Sequence, residues 1–402
     1  MTLGLPIGFP VEVGNHLDRG FGGSVGIVST FPPTSCGLAT FASALSRGLR
    51  EAGVSEIGTV RCIGDSDTPM GIDDGMVWNP SPEGPLEDLV RYLNRHDVVF
   101  LQHEYGIYGP QDGVAVLNLI DQLDAPVIPT LHTVPSAPSD SQTRILESVV
   151  ARSTATVVMT EAARSRLIHN FNVDASKVHN IPHGATRPPN VAADGQGGGY
   201  ALTWGLLGPG KGIEWVVDAL ATVPLRNDDL EYRVVGRTHP KVMARDGTAY
   251  VDMLKKRAAD LGIGHKITFD DHYHSLESLL HVVAGASLVI LPYDSEDQIT
   301  SGVLVDAITA GVPVMATRFP HAEELLGDGA GMVVPHRDPS ALAEAIHSFV
   351  SDADLRESMR TRAREHAERH DWKTVAQDYL RLARRTWILQ SPDVPWEGRV
   401  AM

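Results

Sequence analysis

Residues 291–326, LPYDSEDQITSGVLVDAITAGVPVMATRFPHAEELL, contain the pattern that decides the fold. An apolar run ends at Tyr293, an acidic and polar loop follows, and Thr300 and Ser301 precede a helical pattern that leads into a second apolar run, VPVMATRF. Two such runs joined by one helix predict a right-handed crossover between parallel strands. The segment is therefore expected to be one repeat of an open parallel sheet covered by helices.

Strand and helix patterns of this kind alternate along most of the chain. Strands are predicted at 24–30, 58–63, 97–103, 126–132, 155–160 and 177–182, and then at 200–207, 231–237, 266–271, 286–293, 312–319 and 331–335. Helices are predicted at 38–53, 161–171, 212–222, 249–261, 275–283, 302–310 and 339–351. Because the strand runs are nearly continuous in apolar character, they are expected to lie buried in parallel sheets. The pattern predicts an α/β fold with two Rossmann-like lobes.

The clearest break in the alternation is TRPPNVAADGQGGGY, residues 186–200, which is rich in Gly and Pro. That composition is typical of a linker. The expected organisation is an N-terminal arm, a first lobe, the linker, a second lobe, and a helix with the tail, over residues 1–22, 23–185, 186–200, 201–370 and 371–402. Ligands of open parallel sheets bind beyond the carboxyl ends of the strands, so two facing lobes predict a cleft between them.

The composition argues against several classes of protein. A formal net charge of −16 is unfavourable for binding nucleic acid, whose phosphates must be neutralised. Two cysteines, Cys36 and Cys62, are too few for a disulfide framework or a Cys-based zinc site. The first residues lack the basic start and apolar core of a signal peptide, and no stretch approaches the roughly 20 apolar residues of a membrane span. We expect a cytoplasmic protein for which peripheral membrane contact and the oligomeric state stay open.

Two glycine turns, each leading from a strand into a helix, are candidates for binding a phosphate. Gly37 and Leu38 follow the first strand in STFPPTSCGLATF, and Gly210 and Lys211 lie in GLLGPGKG at the start of the second lobe. Glycine lets a backbone approach a ligand closely, a helix N-terminus favours anions, and lysine adds positive charge. Neither turn is a GxGxxG or Walker A motif. A plain turn with an exposed lysine is the alternative interpretation.

Polar side chains end two runs of the first lobe. His103, Glu104 and Tyr105 lie in QHEYGIYG, and His132 closes PVIPTLH. At the carboxyl ends of strands, these side chains are expected to face the cleft, although a single histidine in a fold is more often structural. His103 and Glu104 do not form the HExxH motif of zinc proteases.

The helix that follows the loop at 294–300 is the most informative candidate. Ser301, Gly302 and Val303 open it, and free N–H groups with a positive dipole end suit a phosphate. Asp306 lies four residues into this helix, where a carboxylate could reach ribose hydroxyls. The alternative is an ordinary N-cap with Asp306 as a partner of the helix dipole.

In this order and at these spacings, the segments resemble the family-4 retaining glycosyltransferases of the GT-B fold. The segments are TSCGLATF, HEYGIYG, LHTV, IPHG, GLLGPGKG, SGVLVDAITAGVPVMAT and GAGMVVPHRDPSALAEAI, within residues 24–385. The resemblance implies a cleft between an acceptor-side first lobe and a nucleotide-sugar-side second lobe. It also implies that a C-terminal helix, here WKTVAQDYLRLARRTW, crosses back to the first lobe.

The resemblance implies transfer of a hexose, mannose or glucose, from a nucleotide-diphosphate sugar with retention at the anomeric carbon. The acceptor would be a carbohydrate, a lipid or a small molecule. No cofactor and no catalytic metal are expected. The DSED loop at 294–297 lacks the spacing of a metal-binding Asp-x-Asp.

The resemblance also assigns roles by position. His132, Lys211 and Gln298 would be catalytic, Asp306 would bind the ribose, and the acceptor or sugar side would carry His103, Glu104 and Tyr105. The donor diphosphate would be bound by Gly37, Leu38, Gly210, Lys211, Ser301, Gly302 and Val303.

Two positions depart from the family pattern. Gln298 stands where the Glu-x7-Glu motif has its first glutamate, and Leu206 stands where the family has an arginine. Carboxylates that could substitute are Glu296, Asp297, Glu323 and Glu324. Two alternatives follow: a sugar-nucleotide epimerase or hydrolase of the same fold, and a binding protein without catalytic activity. A two-lobed dehydrogenase is disfavoured because GxGxxG is missing.

Overall fold

The computed structural model describes residues 23–34, 36–64, 75–188, 199–224, 230–272 and 274–390. The predicted N-terminal arm, the middle of the predicted linker and the end of the tail lie outside these ranges. Within them, no helix combines the length and the apolar character that crossing a membrane requires.

Two parallel sheets form the framework of the described part of the chain. The strands of the first sheet are β1 (Ser24–Ser29), β2 (Glu56–Cys62), β3 (Met76–Trp78), β4 (Val98–His103), β5 (Val127–Leu131), β6 (Thr156–Val158) and β7 (Val178–Asn180). Those of the second are β8 (Tyr200–Trp204), β9 (Glu231–Val235), β10 (Ile267–Asp270), β11 (Leu288–Leu291), β12 (Val314–Thr317) and β13 (Gly331–Val334).

Helices connect the strands and cover the sheets. In the first lobe they are α1 (Gly37–Glu51), α2 (Glu87–Leu93), α3 (Pro110–Gly113), α4 (Ala115–Gln122), α5 (Asp140–Arg152) and α6 (Glu161–Asn170). In the second they are α7 (Ile213–Thr222), α8 (Pro240–Asp246), α9 (Ala249–Asp260), α10 (Leu276–Ala284), α11 (Gly302–Thr309), α12 (Pro320–Leu326), α13 (Pro339–Ser351) and α14 (Ala353–His370), followed by α15 (Trp372–Gln390).

Both sheets have the doubly wound topology of a Rossmann fold. The strand orders are β3-β2-β1-β4-β5-β6-β7 and β10-β9-β8-β11-β12-β13, and neighbouring strands pair in parallel. Strand order reverses beside β1 in the first sheet and beside β8 in the second, which is where such folds bind ligands. The predicted α/β fold with two Rossmann-like lobes is confirmed.

The apolar strands are buried on both faces, as their sequence predicts. In β4, Val99 and Leu101 pack into one core cluster of the first lobe, whereas Val98 and Phe100 pack into the cluster on the opposite face. Side chains alternate between the faces of a strand, so two helix layers require apolar residues at consecutive positions. This double burial leaves few polar side chains inside the strands, and His103 is the last residue of β4.

Helix α15 returns to the first lobe and completes its core. Trp372, Ala376 and Tyr379 are buried against α1 and the first sheet, and the Tyr379 hydroxyl lies 3.1 Å from Thr130 Oγ1. A Cβ atom at Gly48 of α1 would lie 2.9 Å from the Cβ of Ala376, so the two helices touch through small residues. The predicted crossing helix is therefore present, and it connects the two lobes through the polypeptide itself.

Two chain segments that link the lobes run side by side. The amide of Ala185 donates to the carbonyl of His370 at 2.7 Å, and the amide of Trp372 donates back to Ala185 at 3.2 Å. A Cβ at Gly184 would lie 2.5 Å from the Trp372 indole, so glycine allows the ring to pack directly on this backbone. The pairing fixes the position of the segment that follows β7 relative to the second lobe.

Candidate functional site

The carboxyl end of the first sheet faces the loop between β11 and α11 in the second lobe. Thr160, after β6, donates from Oγ1 to the carbonyl of Ile299 at 3.2 Å. Ser136, after β5, donates to the Asp297 carboxylate from its amide at 3.0 Å and from its hydroxyl at 2.8 Å. The predicted cleft between the lobes thus has its two walls in contact at this loop.

The N-terminus of α11 forms one wall of the site. Ser301 is the N-cap, and its hydroxyl accepts a hydrogen bond from the amide of Leu304 at 3.3 Å. The amide of Ser301 donates to Nδ1 of His321 at 2.9 Å, so this ring nitrogen carries no proton. Burial lowers the pKa of His321 to about 3, which keeps the ring neutral near pH 7. Gly302 and Val303 are half-buried at the first helical positions, whose amides have no acceptor within a helix.

Lys211 lies beside this helix start. Its ammonium group is 4.6 Å from the centre of the Tyr293 ring, and the Tyr293 hydroxyl shares a hydrogen bond with the Ser301 side chain. Tyr293 therefore touches both predicted phosphate-binding groups. Burial lowers the pKa of Lys211 from its ordinary value. Partial burial disfavours the charged form of Lys211, and an anion between Lys211 and α11 would stabilise that form.

The GPGKG turn is fixed by a contact that only glycine permits. Gly212 has φ +68°, and a Cβ there would lie 1.7 Å from the carbonyl oxygen of Pro292. The carbonyl of Gly210 accepts a hydrogen bond from the amide of Asp294 at 3.0 Å, while the Cβ position of Gly210 is open. The turn is thus packed on the end of β11, which explains why Lys211 lies next to the loop that precedes α11.

Asp306 lies in the first two turns of α11, between the predicted diphosphate site and the core. It is half-buried, and burial raises the pKa of its carboxyl group to about 7. A carboxylate that is costly to ionise gains stability from hydroxyl donors such as those of a ribose. Its predicted ribose-binding role remains a prediction.

His132 lies on the first-lobe side of the cleft. Its Nε2 is 2.8 Å from Oε1 of the fully buried Gln102, and its ring meets the edge of Phe41 with centroids 4.8 Å apart. Burial, together with His183 and His103, lowers the pKa of His132 to about 3. The neutral ring, held by Gln102, can form a hydrogen bond with a sugar hydroxyl, but it carries no positive charge near pH 7.

The residues predicted for the acceptor side are less exposed than the sequence suggests. His103 is only 1 % exposed, its ring packs against Tyr105 and Tyr108, and within the described ranges neither ring nitrogen has a hydrogen-bond partner. Glu104 is half-buried, and its carboxylate accepts hydrogen bonds from the Tyr105 amide and from Thr133. Tyr105 is buried and donates to the carbonyl of Gln142 at 3.4 Å. The three positions remain predictions, with Glu104 the most accessible.

The first glycine turn opens α1. Cys36 is the N-cap, its side chain makes no capping hydrogen bond, and its sulfur lies 3.2 Å from Thr30 Oγ1. Gly37 is exposed with open space at its Cβ position, and Leu38 is half-buried. The start of α1 is therefore open to a ligand, and among the described residues no backbone hydrogen bond connects Gly37 with Lys211.

The Gln298 side chain is hydrogen-bonded within its own loop. Its side-chain amide donates to the carbonyl of Thr300 within the same loop. Of the acids that could substitute for it, Asp297 pairs with Arg166 of the first lobe, and Glu324 accepts from the amides of Glu161 and Ala162, both at 2.9 Å. These two carboxylates therefore bind the lobes together. Glu323 pairs with Arg318 at 3.4 Å, and Glu296 is exposed.

Several residues of this site were not predicted individually. Tyr293, His321, Phe41 and Arg166 all act through contacts between segments far apart in the chain. His321 could have been predicted, because it lies at the start of α12, just beyond the carboxyl end of β12. Among the described residues, no group of three or more His, Cys, Asp or Glu side chains is arranged to hold a metal ion. Independence from metal remains a prediction.

The sequence matches a known family over much of the second lobe. Residues 193–366 match the model described as glycosyl transferases group 1. A D-inositol 3-phosphate glycosyltransferase of Jonesia denitrificans is 25% identical over 88% of this chain and 92% of its own length. The enzyme of the same name from Corynebacterium urealyticum is 30% identical over 47% of this chain, and that match spans only 42% of the relative.

A solved structure shares the whole two-lobed architecture. Anabaena HepE, solved in complex with UDP and glucose, superposes with a TM-score of 0.68 and covers 89% of this chain and 98% of its own, at 16% identity. At that identity the likeness establishes the fold. The chain thus has the two-lobed fold of the GT-B glycosyltransferases, and residues 193–366 match the glycosyl transferases group 1.

Proposed function

We propose that the protein transfers a hexose from a nucleotide-diphosphate sugar to a hydroxyl group of an acceptor, with retention of the anomeric configuration. The observation that carries the proposal is the contiguity of Lys211, Tyr293 and Ser301, which places an ammonium group beside a helix N-terminus. Both features favour the same ligand, a diphosphate. Asp306 in the same helix supplies an acceptor for ribose hydroxyls.

The identities of donor and acceptor are proposed from the comparisons. UDP and glucose are the molecules named with the Anabaena structure, and an inositol phosphate is named for both relatives. We take UDP-glucose and GDP-mannose as the first donors to test, and a polyol or its phosphate ester as the first class of acceptor. The test is a mass-spectrometric search for a hexosylated product; donor hydrolysis without a product would favour the hydrolase instead.

The proposed chemistry is largely electrostatic. The bond from the anomeric carbon to the phosphate oxygen breaks, the acceptor oxygen bonds to that carbon on the same face, and the acceptor proton passes to the departing phosphate. Lys211 and the amides at the start of α11 stabilise the charge that grows on the diphosphate. Fixed donors of this kind cost no reorganisation when the bond breaks.

Contacts between the lobes support a closed arrangement during transfer. Arg166 pairs with Asp297, and the Glu324 carboxylate caps the N-terminus of α6 across the cleft. A carboxylate at a helix N-terminus is stabilised by the helix dipole. Closure excludes water and so limits hydrolysis of the donor.

A nucleotide-sugar-binding protein without activity is the second candidate, because one observation favours it. The Gln298 amide is turned onto its own loop and carries no charge that could stabilise an oxocarbenium-like state. Tight nucleotide binding with no turnover of either donor would support this candidate against transfer.

Lys211→Ala should lower kcat/KM for the donor by roughly ten- to hundredfold, since a hydrogen bond to a charged group is worth about 1.5–3 kcal/mol. Steady-state kinetics with varied donor measures the change. Lys241→Ala, at an exposed lysine of α8, is the matched control and should leave kcat/KM unchanged. Equal rates for Lys211→Ala and the wild type would disprove the diphosphate site.

Asp306→Asn should stabilise the ligand-free protein while weakening nucleotide binding. Because burial raises the pKa of Asp306 to about 7 from 3.8, folding opposes its ionisation, and the wild type loses stability as the pH rises between these values. The substitution should therefore raise the Tm by a few degrees more at pH 8 than at pH 5. Thermal denaturation at both pH values measures the difference.

Asp271→Asn, at an exposed aspartate after β10, is the control and should show the same small Tm change at both pH values. A pH-independent Tm change for Asp306→Asn would contradict the account of its burial.

Glu324→Ala should weaken closure, because it removes the acceptor of two α6 amides. A partly buried carboxylate at a helix terminus is worth about 1–2 kcal/mol, so kcat/KM should fall by roughly five- to thirtyfold. Kinetics are measured together with the radius of gyration from small-angle X-ray scattering. Glu344→Ala, at an exposed glutamate of α13 in the same lobe, is the matched control. The same activity in both variants would show that the Glu324 contact has no part in catalysis.

A further inference from the structure

The His183 imidazole of the first lobe lies against the first residue of α11. His183 follows β7 in the IPHG segment, and a Cβ atom built on Gly302 would lie 3.1 Å from its Nε2 and Cε1 atoms. Gly302 is the first residue of α11, where the diphosphate is proposed to bind. The Nε2 edge of the ring therefore faces the proposed site from the lobe opposite Lys211.

The hydrogen bond on the other side of the ring fixes its tautomer. His183 Nδ1 is 2.7 Å from the carbonyl oxygen of Gly184. A carbonyl only accepts hydrogen bonds, so Nδ1 carries the proton and Nε2 of the neutral ring presents a lone pair. Burial lowers the pKa of His183 to about 4, so the ring is neutral near pH 7. Within the described ranges no hydrogen-bond partner is found for Nε2.

The ring is held in this orientation by packing. Its centroid lies 5.0 Å from that of Phe41, edge to face, and 6.2 Å from that of Trp372. The His183 carbonyl accepts from His370 Nδ1 at 3.1 Å, and Gly184 lies directly under the Trp372 indole. Rotation of the ring away from α11 would break these contacts, so Nε2 is preorganised.

The groups around His183 contribute little positive charge of their own. Three titratable groups interact electrostatically with His183: His370 at the end of α14, His321 of α12 and His132 after β5. Burial lowers the pKa of each, to about 4, 3 and 3 respectively, so all three are neutral near pH 7. A lone pair on Nε2 would repel phosphate oxygens, whereas a protonated Nε2 would bind them.

We propose that His183 is a further residue of the donor site, which takes up a proton from solvent at Nε2 when the nucleotide binds and donates it as a hydrogen bond to the diphosphate. This inference rests on the proposed function, because it needs the diphosphate to lie at the start of α11. It adds a first-lobe contact that forms only when the lobes face each other, so donor binding itself favours closure. Binding weakens as the pH rises, because the protonated ring becomes harder to form.

The test counts protons during binding. UDP-glucose and GDP-mannose are titrated calorimetrically at pH 7.5 in two buffers of different ionisation enthalpy, since neither diphosphate ester has a group that titrates near this pH. The difference in proton uptake between wild type and His183→Gln isolates His183 from Asp306, which releases protons on binding. His179→Gln, four residues earlier on β7 and half-buried, is the matched control.

The wild type and His179→Gln should take up more protons than His183→Gln, approaching one proton of difference, and His183→Gln should bind roughly ten- to hundredfold more weakly. A second variant, His183→Asn, should give the same loss of uptake if the first folds poorly. Equal proton uptake and equal Kd in all variants would overturn the inference while leaving the proposed function intact. No binding of either nucleotide sugar to the wild type would instead contradict the proposed function.

Discussion

The central constraint in this structure is the set of backbone amides at the N-terminus of α11, which need hydrogen-bond acceptors from outside the helix. The first amides of α11 have no acceptor inside the helix, and the Ser301 side chain caps only one of them, that of Leu304. Ser301 satisfies one amide as N-cap, and His321 accepts another. Lys211 approaches from the side on the Tyr293 ring. The proposed diphosphate would bind between these groups, which the packing of Gly212, Tyr293 and His321 holds in place.

The lobes are connected so that this helix start faces the first sheet. Helix α15 is built into the first core, and the segments at Ala185 and Trp372 pair with each other between the lobes. Carboxylates of the second lobe then bind donors of the first, at Asp297 and Glu324. The loop between β11 and α11 therefore has two roles in the fold, because it leads into α11 and also carries Asp297 to Arg166 of the first lobe.

Much of the fold could be predicted from sequence because parallel strands buried on both faces leave an unmistakable apolar run. β3 was not predicted, because a strand of three residues at the edge of the sheet, paired with β2, is too short to form an apolar run. α14 was also missed, since it buries only Met359, Ala363, Ala367 and His370 and so shows little apolar periodicity. A helix that buries only one narrow stripe of residues has almost no amphipathic signal.

Candidate site residues that follow strand ends could be predicted from the sequence. Those that depend on contacts between the lobes could not. The rule that ligands bind at the carboxyl ends of strands indicated Lys211 and Ser301, and the structure brings them together through Tyr293. It also indicated His103, which the structure buries between tyrosine rings. The tautomer of His183 follows from one carbonyl contact that no sequence pattern encodes.

The most direct measurement is a crystal structure of the protein with a bound nucleoside diphosphate. The account predicts phosphate oxygens within hydrogen-bond distance of Lys211 Nζ and of the backbone amides at Gly302 and Val303, with the ribose against Asp306. A diphosphate bound elsewhere, with Lys211 still resting on Tyr293 and the start of α11 in contact with water alone, would contradict it.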